Sequence, residues 1–136
     1  MFEIIILEFL AKLLAGISMY TLTHDYYIWP DSVRVSWYEY GDITANGEVY
    51  YPDNLTCASY DLPFNTILHL KYKNNEVVCR VNDRGPFATD STGRAEYPLR
   101  RHPDRDLDLS RGTYRALFEE LDSGVSNIKI TKVEFP

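Results

Sequence analysis

The chain has 136 residues, room for one domain with one core, which excludes a multidomain assembly. Hydrophobic residues make up 45% and charged residues 25%, globular proportions that exclude wholesale disorder. The net charge of −6 argues against general nucleic-acid binding, and no nucleic-acid partner is expected. Arg100-Arg101 is the clearest basic spot, and two adjacent cations are too few to track a phosphate backbone.

The first segment, residues 1–28, stands apart from the rest. Met1 to Leu22 is strongly apolar, but Glu3, Glu8 and Lys12 interrupt it as a membrane span. It lacks the basic start of a standard secretory signal, although Ala15, Gly16 and Ser18 resemble a cleavage region. Leu14-Ala15-Gly16 looks like the start of a lipoprotein box, but Ile17 stands where the lipidated cysteine belongs, which excludes a lipid anchor there. Ile6, Phe9, Leu10, Leu13, Leu14 and Ile17 also fit one face of an amphipathic helix, with Glu8 and Lys12 four apart. Three readings stay open: an atypical export or anchor segment with membrane association through residues 1–22, a helix packed on its own domain or a partner, and a misplaced start codon.

Residues 29–136 read as small β-structure with one or two short helices. Val33 to Tyr40 is rich in β-formers. Ile67 to Tyr72 alternates, Lys73-Asn74-Asn75 is a turn, and Glu76 to Val81 is the second arm of a hairpin. Ala88 to Arg105 is polar, contains Pro98 and Pro103, and reads as a long loop of the kind that often carries function. Ser110 is an N-cap candidate, Tyr114, Leu117, Phe118 and Leu121 form one helical stripe, and Gly124 is a stop signal. Ile128 to Phe135 is the last strand, and its apolar phase slips between Ile130 and Val133, as at a bulge. Short strands with little helix predict a compact barrel over a parallel α/β sheet.

Three clusters carry residues suited to chemistry. In Thr44-Ala45-Asn46-Gly47-Glu48 a tight turn releases Glu48 into Val49-Tyr50-Tyr51. In Arg80 to Phe87 an apolar strand ends in Asn82-Asp83-Arg84 before Gly85-Pro86, which positions Asp83 for general acid or base work. In Asp106 to Ser110, an extended chain sends Leu107 and Leu109 one way and Asp106, Asp108 and Ser110 the other. Each has a plainer reading as an Asx turn, a solvated turn residue or a helix-start charge. His24, His69 and His102 are scattered from Cys57 and Cys79, so no metal site is expected. From composition alone, the two cysteines fit one disulfide or two buried thiols equally.

At these residues the sequence resembles the rare lipoprotein A-like family of double-psi β-barrel proteins. The matching stretches are Val35-Ser36-Trp37-Tyr38, Thr44 to Glu48 with Tyr50, Leu55-Thr56 with Ala58, Leu62-Pro63-Phe64-Asn65-Thr66, Val81 to Phe87, and Asp108 to Arg111. They run in the family's order from about Ser32 to Phe135. The V-N-D-R-G-P-F run is the most specific. Four departures stand out: Ser59 replaces the usual His, Asn65 replaces a Gly, the spacer from Tyr38 to Thr44 is short, and the loop before Asp106 is longer than in many members. Asn tolerates the left-handed backbone that the Gly supplies.

The resemblance implies a mostly β fold, a six-stranded double-psi barrel, and lytic transglycosylase activity on peptidoglycan. Such an enzyme cleaves the N-acetylmuramic acid to N-acetylglucosamine bond and leaves 1,6-anhydro ends. By resemblance Asp83 and Glu48 are the essential acids, Asp83 serving as both acid and base, and Asp108 is a secondary candidate. Arg84 is then expected to turn away from Asp83 or to bind substrate. Trp37, Tyr38, Asn46, Tyr50, Asn82 and Arg84 are candidate substrate contacts, with core packing an equal reading for Trp37. The implied partner is the peptidoglycan glycan strand, the implied place is extracytoplasmic or phage-delivered, and a monomer without metal or organic cofactor is expected. In that setting a Cys57–Cys79 bridge is permitted and favoured. Other readings are an expansin-like binding or wall-loosening module, a two-carboxylate hydrolase, and a structural phage or envelope component.

Overall fold

A computed structural model describes residues 32–121 and 124–136. The apolar segment 1–28 lies outside the described residues. Six strands close into a barrel: β1 (Val33–Tyr38), β2 (Thr56–Ser59), β3 (Ile67–Tyr72), β4 (Asn75–Asp83), β5 (Leu107–Ser110) and β6 (Val125–Glu134). Their order around the barrel is β1-β5-β2-β4-β3-β6. The β1/β5 and β2/β4 pairs are parallel and the other four are antiparallel.

Period-2 alternation decides which side chains enter the barrel. Val33 and Val35 of β1, Leu68 and Leu70 of β3, Val77, Cys79 and Val81 of β4, and Leu107 and Leu109 of β5 form the core. Each fully buried leucine or valine contributes roughly 1.5–3 kcal/mol of transfer free energy. The β3–β4 hairpin turns through Lys73 and Asn74, with Tyr72 opposite Asn75 and Lys73 at φ 52°. The phase slip expected in the last strand is real. Leu70 pairs with Ile130 and His69 with Lys132, so Thr131 is the extra residue.

One helix lies among the described residues, α1 (Arg111–Phe118). Ser110 caps it, its side chain accepting from the Thr113 backbone N–H. Tyr114 and Leu117 are fully buried against the core, and Asn75 donates to the Leu117 carbonyl at 2.7 Å. The expected stop at Gly124 is corrected. The helix ends at Phe118, because Glu119 adopts the left-handed conformation at φ 63° and donates its N–H to the Arg115 carbonyl. Leu121 still packs on the core from beyond the helix.

Cys57 on β2 and Cys79 on β4 form a disulfide, with Cα atoms 6.0 Å apart. Asn65 stands at φ 72°, the backbone for which asparagine is an acceptable substitute for glycine. Ser59 is buried, and its hydroxyl accepts from the Leu62 N–H at 3.1 Å, closing the turn beyond β2. The segment expected as a long loop, 88–105, is ordered by its own bonds. Ala88 donates to the Arg100 carbonyl, Glu96 to Ala88 and His102 to Pro86.

Candidate active site

The site begins with a register shift. Thr56 pairs with Arg80 and Cys57 with Val81, but Ala58 pairs with Asp83, so Asn82 is the unpaired extra residue on β4. A one-residue slip exchanges the faces of a strand. It therefore puts Asp83, rather than Asn82, beside Ala58. On its other side Ala58 pairs with Asp108, and Asp108 pairs with Ser36. Asp83, Ala58, Asp108 and Ser36 thus form one row across β4, β2, β5 and β1. With strands about 4.8 Å apart, the two acid backbones stand roughly 10 Å from each other across a single methyl group.

The two carboxyls have different surroundings. Asp83 is an acceptor for three donors. Its Oδ1 takes the backbone N–H of Ala45 at 2.9 Å and of Arg84 at 2.9 Å, and its Oδ2 takes the Tyr38 hydroxyl at 3.0 Å. Burial and the Asp83 charge push the Tyr38 hydroxyl well above its ordinary value, so it stays a proton donor. Asp108 is desolvated, which raises its carboxyl above the ordinary aspartate range, and the Asp83 charge adds to that shift. Opposing it, the Ser36 hydroxyl donates to Asp108 Oδ1, and the Arg105 and His102 charges act in the same direction as Ser36. Arg105 also donates to Ser36 Oγ at 3.2 Å. Gly85, at φ 125°, lies against the far oxygen, where an added Cβ would sit 3.7 Å from Asp108 Oδ2.

Glu48 occupies a different environment. Its carboxylate makes a paired contact with Arg80, Nη1 to Oε1 at 2.7 Å and Nη2 to Oε2 at 2.8 Å. Asn46 Nδ2 donates to Oε1 at 2.8 Å, while Asn46 Oδ1 accepts from the Glu48 N–H. The Arg80 and Asn46 hydrogen bonds lower Glu48 to about 2, so it is ionised at any working pH. Asn46 also ties the turn to the end of β4, donating its N–H to the Asn82 carbonyl at 3.3 Å.

The remaining residues singled out by sequence divide by role. Tyr50 is buried, stacks on Tyr38 with ring centroids 4.6 Å apart, and donates its hydroxyl to the Tyr38 carbonyl at 2.6 Å. Burial pushes its hydroxyl up to about 12. It therefore holds the ring that holds Asp83. Trp37 packs against the core beside Tyr114 and donates Nε1–H to the Leu121 carbonyl at 3.3 Å. Arg84 stacks on Phe64 at 3.9 Å and donates to the Leu62 carbonyl at 2.7 Å. Only its backbone N–H reaches the Asp83 carboxylate. Asn82 is buried, and Cys57–Cys79 ties β2 to β4 one residue before the register shift.

Sequence reasoning missed Ser36, Arg80 and Arg105. Alternation carried a signal for two of them. With Val33 and Val35 inside, Ser36 faces out, and with Cys79 and Val81 inside, Arg80 faces out. Which outward residues meet depends on pairings that only the closed barrel supplies.

The sequence profile of the lytic transglycolase family, built on this barrel type, matches residues 31–130. The endolytic peptidoglycan transglycosylase RlpA of Campylobacter jejuni is 35% identical over 105 residues, covering 74% of this chain and 33% of that protein. The RlpA of Vibrio cholerae is 32% identical over 107 residues, covering 74% of this chain and 34% of that protein. The chain thus spans about a third of the length of these relatives. Among solved structures, a Streptomyces papain inhibitor superposes with a TM-score of 0.51 at 17% identity, covering 72% of this chain and 90% of that one. That likeness concerns the fold alone.

Proposed function

We propose that this chain, which belongs to the lytic transglycolase family of double-psi β-barrel proteins, cleaves peptidoglycan glycan strands between N-acetylmuramic acid and N-acetylglucosamine. It leaves 1,6-anhydro ends and acts outside the cytoplasmic membrane, where that polymer lies. The RlpA relatives are named endolytic peptidoglycan transglycosylases, and this chain spans about a third of their length. The observation that carries the reading is the acid pair flanking Ala58, one carboxyl buried and raised, the other held by three donors.

The two carboxyls divide the work. Asp108, whose burial keeps its proton to higher pH than a free aspartate, donates to the leaving oxygen of N-acetylglucosamine. Asp83 accepts the proton of the C6 hydroxyl on the muramic acid ring, and that oxygen closes on C1. One glycosidic C–O bond breaks, one anhydro C–O bond forms, and no water is consumed. The proton gained by Asp83 returns to Asp108 through solvent between turnovers. The resemblance had given both steps to Asp83. The contrast in environments favours the division, because the raised carboxyl is Asp108. Glu48, fixed as an anion by Arg80, orients substrate or offsets positive charge at the anomeric carbon.

The test is mass spectrometry of purified peptidoglycan, and of its peptide-stripped strands, after incubation with the protein and with Asp83→Asn. The reading expects anhydro ends from the wild type and a drop of about a hundredfold or more in the variant, the usual scale for a lost acid or base. Reducing ends in place of anhydro ends identify a hydrolase. No new ends, with glycan pull-down retained, identify a binding module.

A further inference from the structure

The end of the 88–105 loop reaches the acid pair through a third residue, Ser36. Asp106 fastens that end to β1 twice. Its N–H donates to the Arg34 carbonyl at 2.7 Å, and its Oδ2 accepts the Arg34 N–H at 2.8 Å. Arg105, one residue earlier, lies against Ser36 and donates Nη1–H to Ser36 Oγ at 3.2 Å. Ser36 is only 3% exposed, so bulk water does not compete for its hydroxyl.

Donor chemistry fixes the direction of these bonds. A guanidinium donates and has no acceptor, so Ser36 Oγ receives at Arg105. The single hydroxyl hydrogen then has one acceptor among the described residues, Asp108 Oδ1. Oδ1 is thereby held as an acceptor. The proton of a neutral Asp108 belongs on Oδ2, which takes no hydrogen bond from the described residues and faces Gly85, where no side chain stands in the way. The charged and titratable groups around Asp108 come from three sides: Asp83 from β4, the Tyr38 hydroxyl from β1, and Arg105 and His102 from the loop. Burial, and after it the Arg105 charge, lowers His102 below its ordinary value.

We propose that Arg105 is a positioning residue for the acid step: it turns the Ser36 hydroxyl onto Asp108 Oδ1 and so reserves Oδ2 as the oxygen that delivers the proton. The inference rests on the reading of Asp108 as the acid. It goes beyond that reading by naming which oxygen acts and what selects it. If residue 105 offers an acceptor, the Ser36 hydroxyl turns to it and can receive a proton held on Oδ1. The proton then spreads over both oxygens, and only one of them faces the open side. Loss of the cation also makes Asp108 a weaker acid.

The experiment follows two quantities against pH in the full chain: the Asp108 carboxyl signal by ¹³C NMR, and the yield of anhydro ends from peptide-stripped strands. The carboxyl is followed directly because His102 titrates too. The variants are Arg105→Gln, which offers Ser36 an acceptor and no charge, and Arg105→Lys, which like arginine only donates. In Arg105→Gln the Asp108 midpoint and the upper limb of the yield profile should both move to higher pH by about one pH unit, the scale of one nearby opposite charge. The plateau yield should fall about tenfold, the scale of one charge-assisted hydrogen bond. Arg105→Lys should restore both. Arg105→Gln made on Ser36→Ala should move the midpoint less than half as far as on the wild type. Arg105→Met takes the place of the glutamine variant if that one does not fold, with the same expected midpoint and yield. An unmoved midpoint overturns the proposal. So does a lysine variant that behaves like the glutamine one, and so does an equal shift with and without Ser36, which would mark a charge acting across space. Anhydro ends with a midpoint that Arg105 does not move sink the positioning role alone. A midpoint that moves as expected, with no anhydro ends from any of the proteins, sinks the lyase reading alone.

Discussion

Glu48 and Asp108 are two acids with opposite displacements, and pH separates them. Glu48 is held at about 2 in the folded chain against an ordinary value of 4.5. Its pairing therefore stabilises fully above pH 4.5 and is lost as pH falls from there toward 2. With both side chains about a third exposed, solvent limits the pair to about 1 kcal/mol. Thermal melts from pH 6 to pH 2 should show Glu48→Gln less stable at pH 6 and level with the wild type at pH 2. Asp108 runs the other way. Its raised carboxyl favours the folded state below the ordinary value of 3.8, and that contribution fades as pH rises through the folded value. Asp108→Asn, which keeps an acceptor for the Ser36 hydroxyl, should gain on the wild type in the same melts as pH rises, while losing anhydro product. Asp83, Glu48 and Asp108 were all legible as motif residues. The displacements of Glu48 and Asp108 were not, because they depend on Arg80 and Ser36, which reach them only through tertiary pairing.

At the scale of elements, the junction of β5 and α1 joins site to scaffold. Ser110 Oγ accepts from the Thr113 N–H at 3.2 Å and donates to the Asn54 carbonyl at 2.5 Å, so one hydroxyl caps the helix and anchors the turn that leads into β2. Ser110→Ala should cost about 1–2 kcal/mol in urea denaturation, the upper range for a lost N-cap. Two residues on, Gly112 donates its N–H to the Pro52 carbonyl at 2.8 Å. A Cβ there would sit 2.3 Å from the Asp53 carbonyl oxygen and 2.6 Å from its carbon, which is backbone and cannot rotate aside. Gly112→Ala should therefore cost about 2 kcal/mol or more by the same measurement, although alanine is the better helix former. The cap and the apolar stripe of α1 were readable, since both signals are local. The helix end was not. Gly124 is the better left-handed residue by type, but Glu119 takes that conformation five residues earlier. The hairpin was also readable, as its arms are neighbours in sequence.

At the scale of the molecule, the acid pair exists because residues far apart in sequence are held in one register. Ser36 meets Asp108 across β1 and β5, and Ala58 meets both Asp108 and Asp83. Alternation shows which face a residue takes, but not which strand lies beside it. The barrel class was legible from short strands and the family motifs. The row was not, because it depends on the single extra residue at Asn82. The disulfide guards that point. It joins β2 to β4 at Cys57, and the shift follows between Cys57 and Ala58. The cross-link closes a loop with a sequence separation of 22. On the chain-entropy account such a loop stabilises by about 3 kcal/mol. For a domain of this size that corresponds to roughly 12–24 °C in melting temperature. Reduction, or replacement of both cysteines by serine, should lower the melting temperature on that scale. Below the new melting point it should also lower the yield of anhydro ends, because β2 is then free to slide against β4 and a slip of one residue returns Asn82 to the place of Asp83. A full yield from folded, reduced protein would mean that the barrel holds the register without its cross-link.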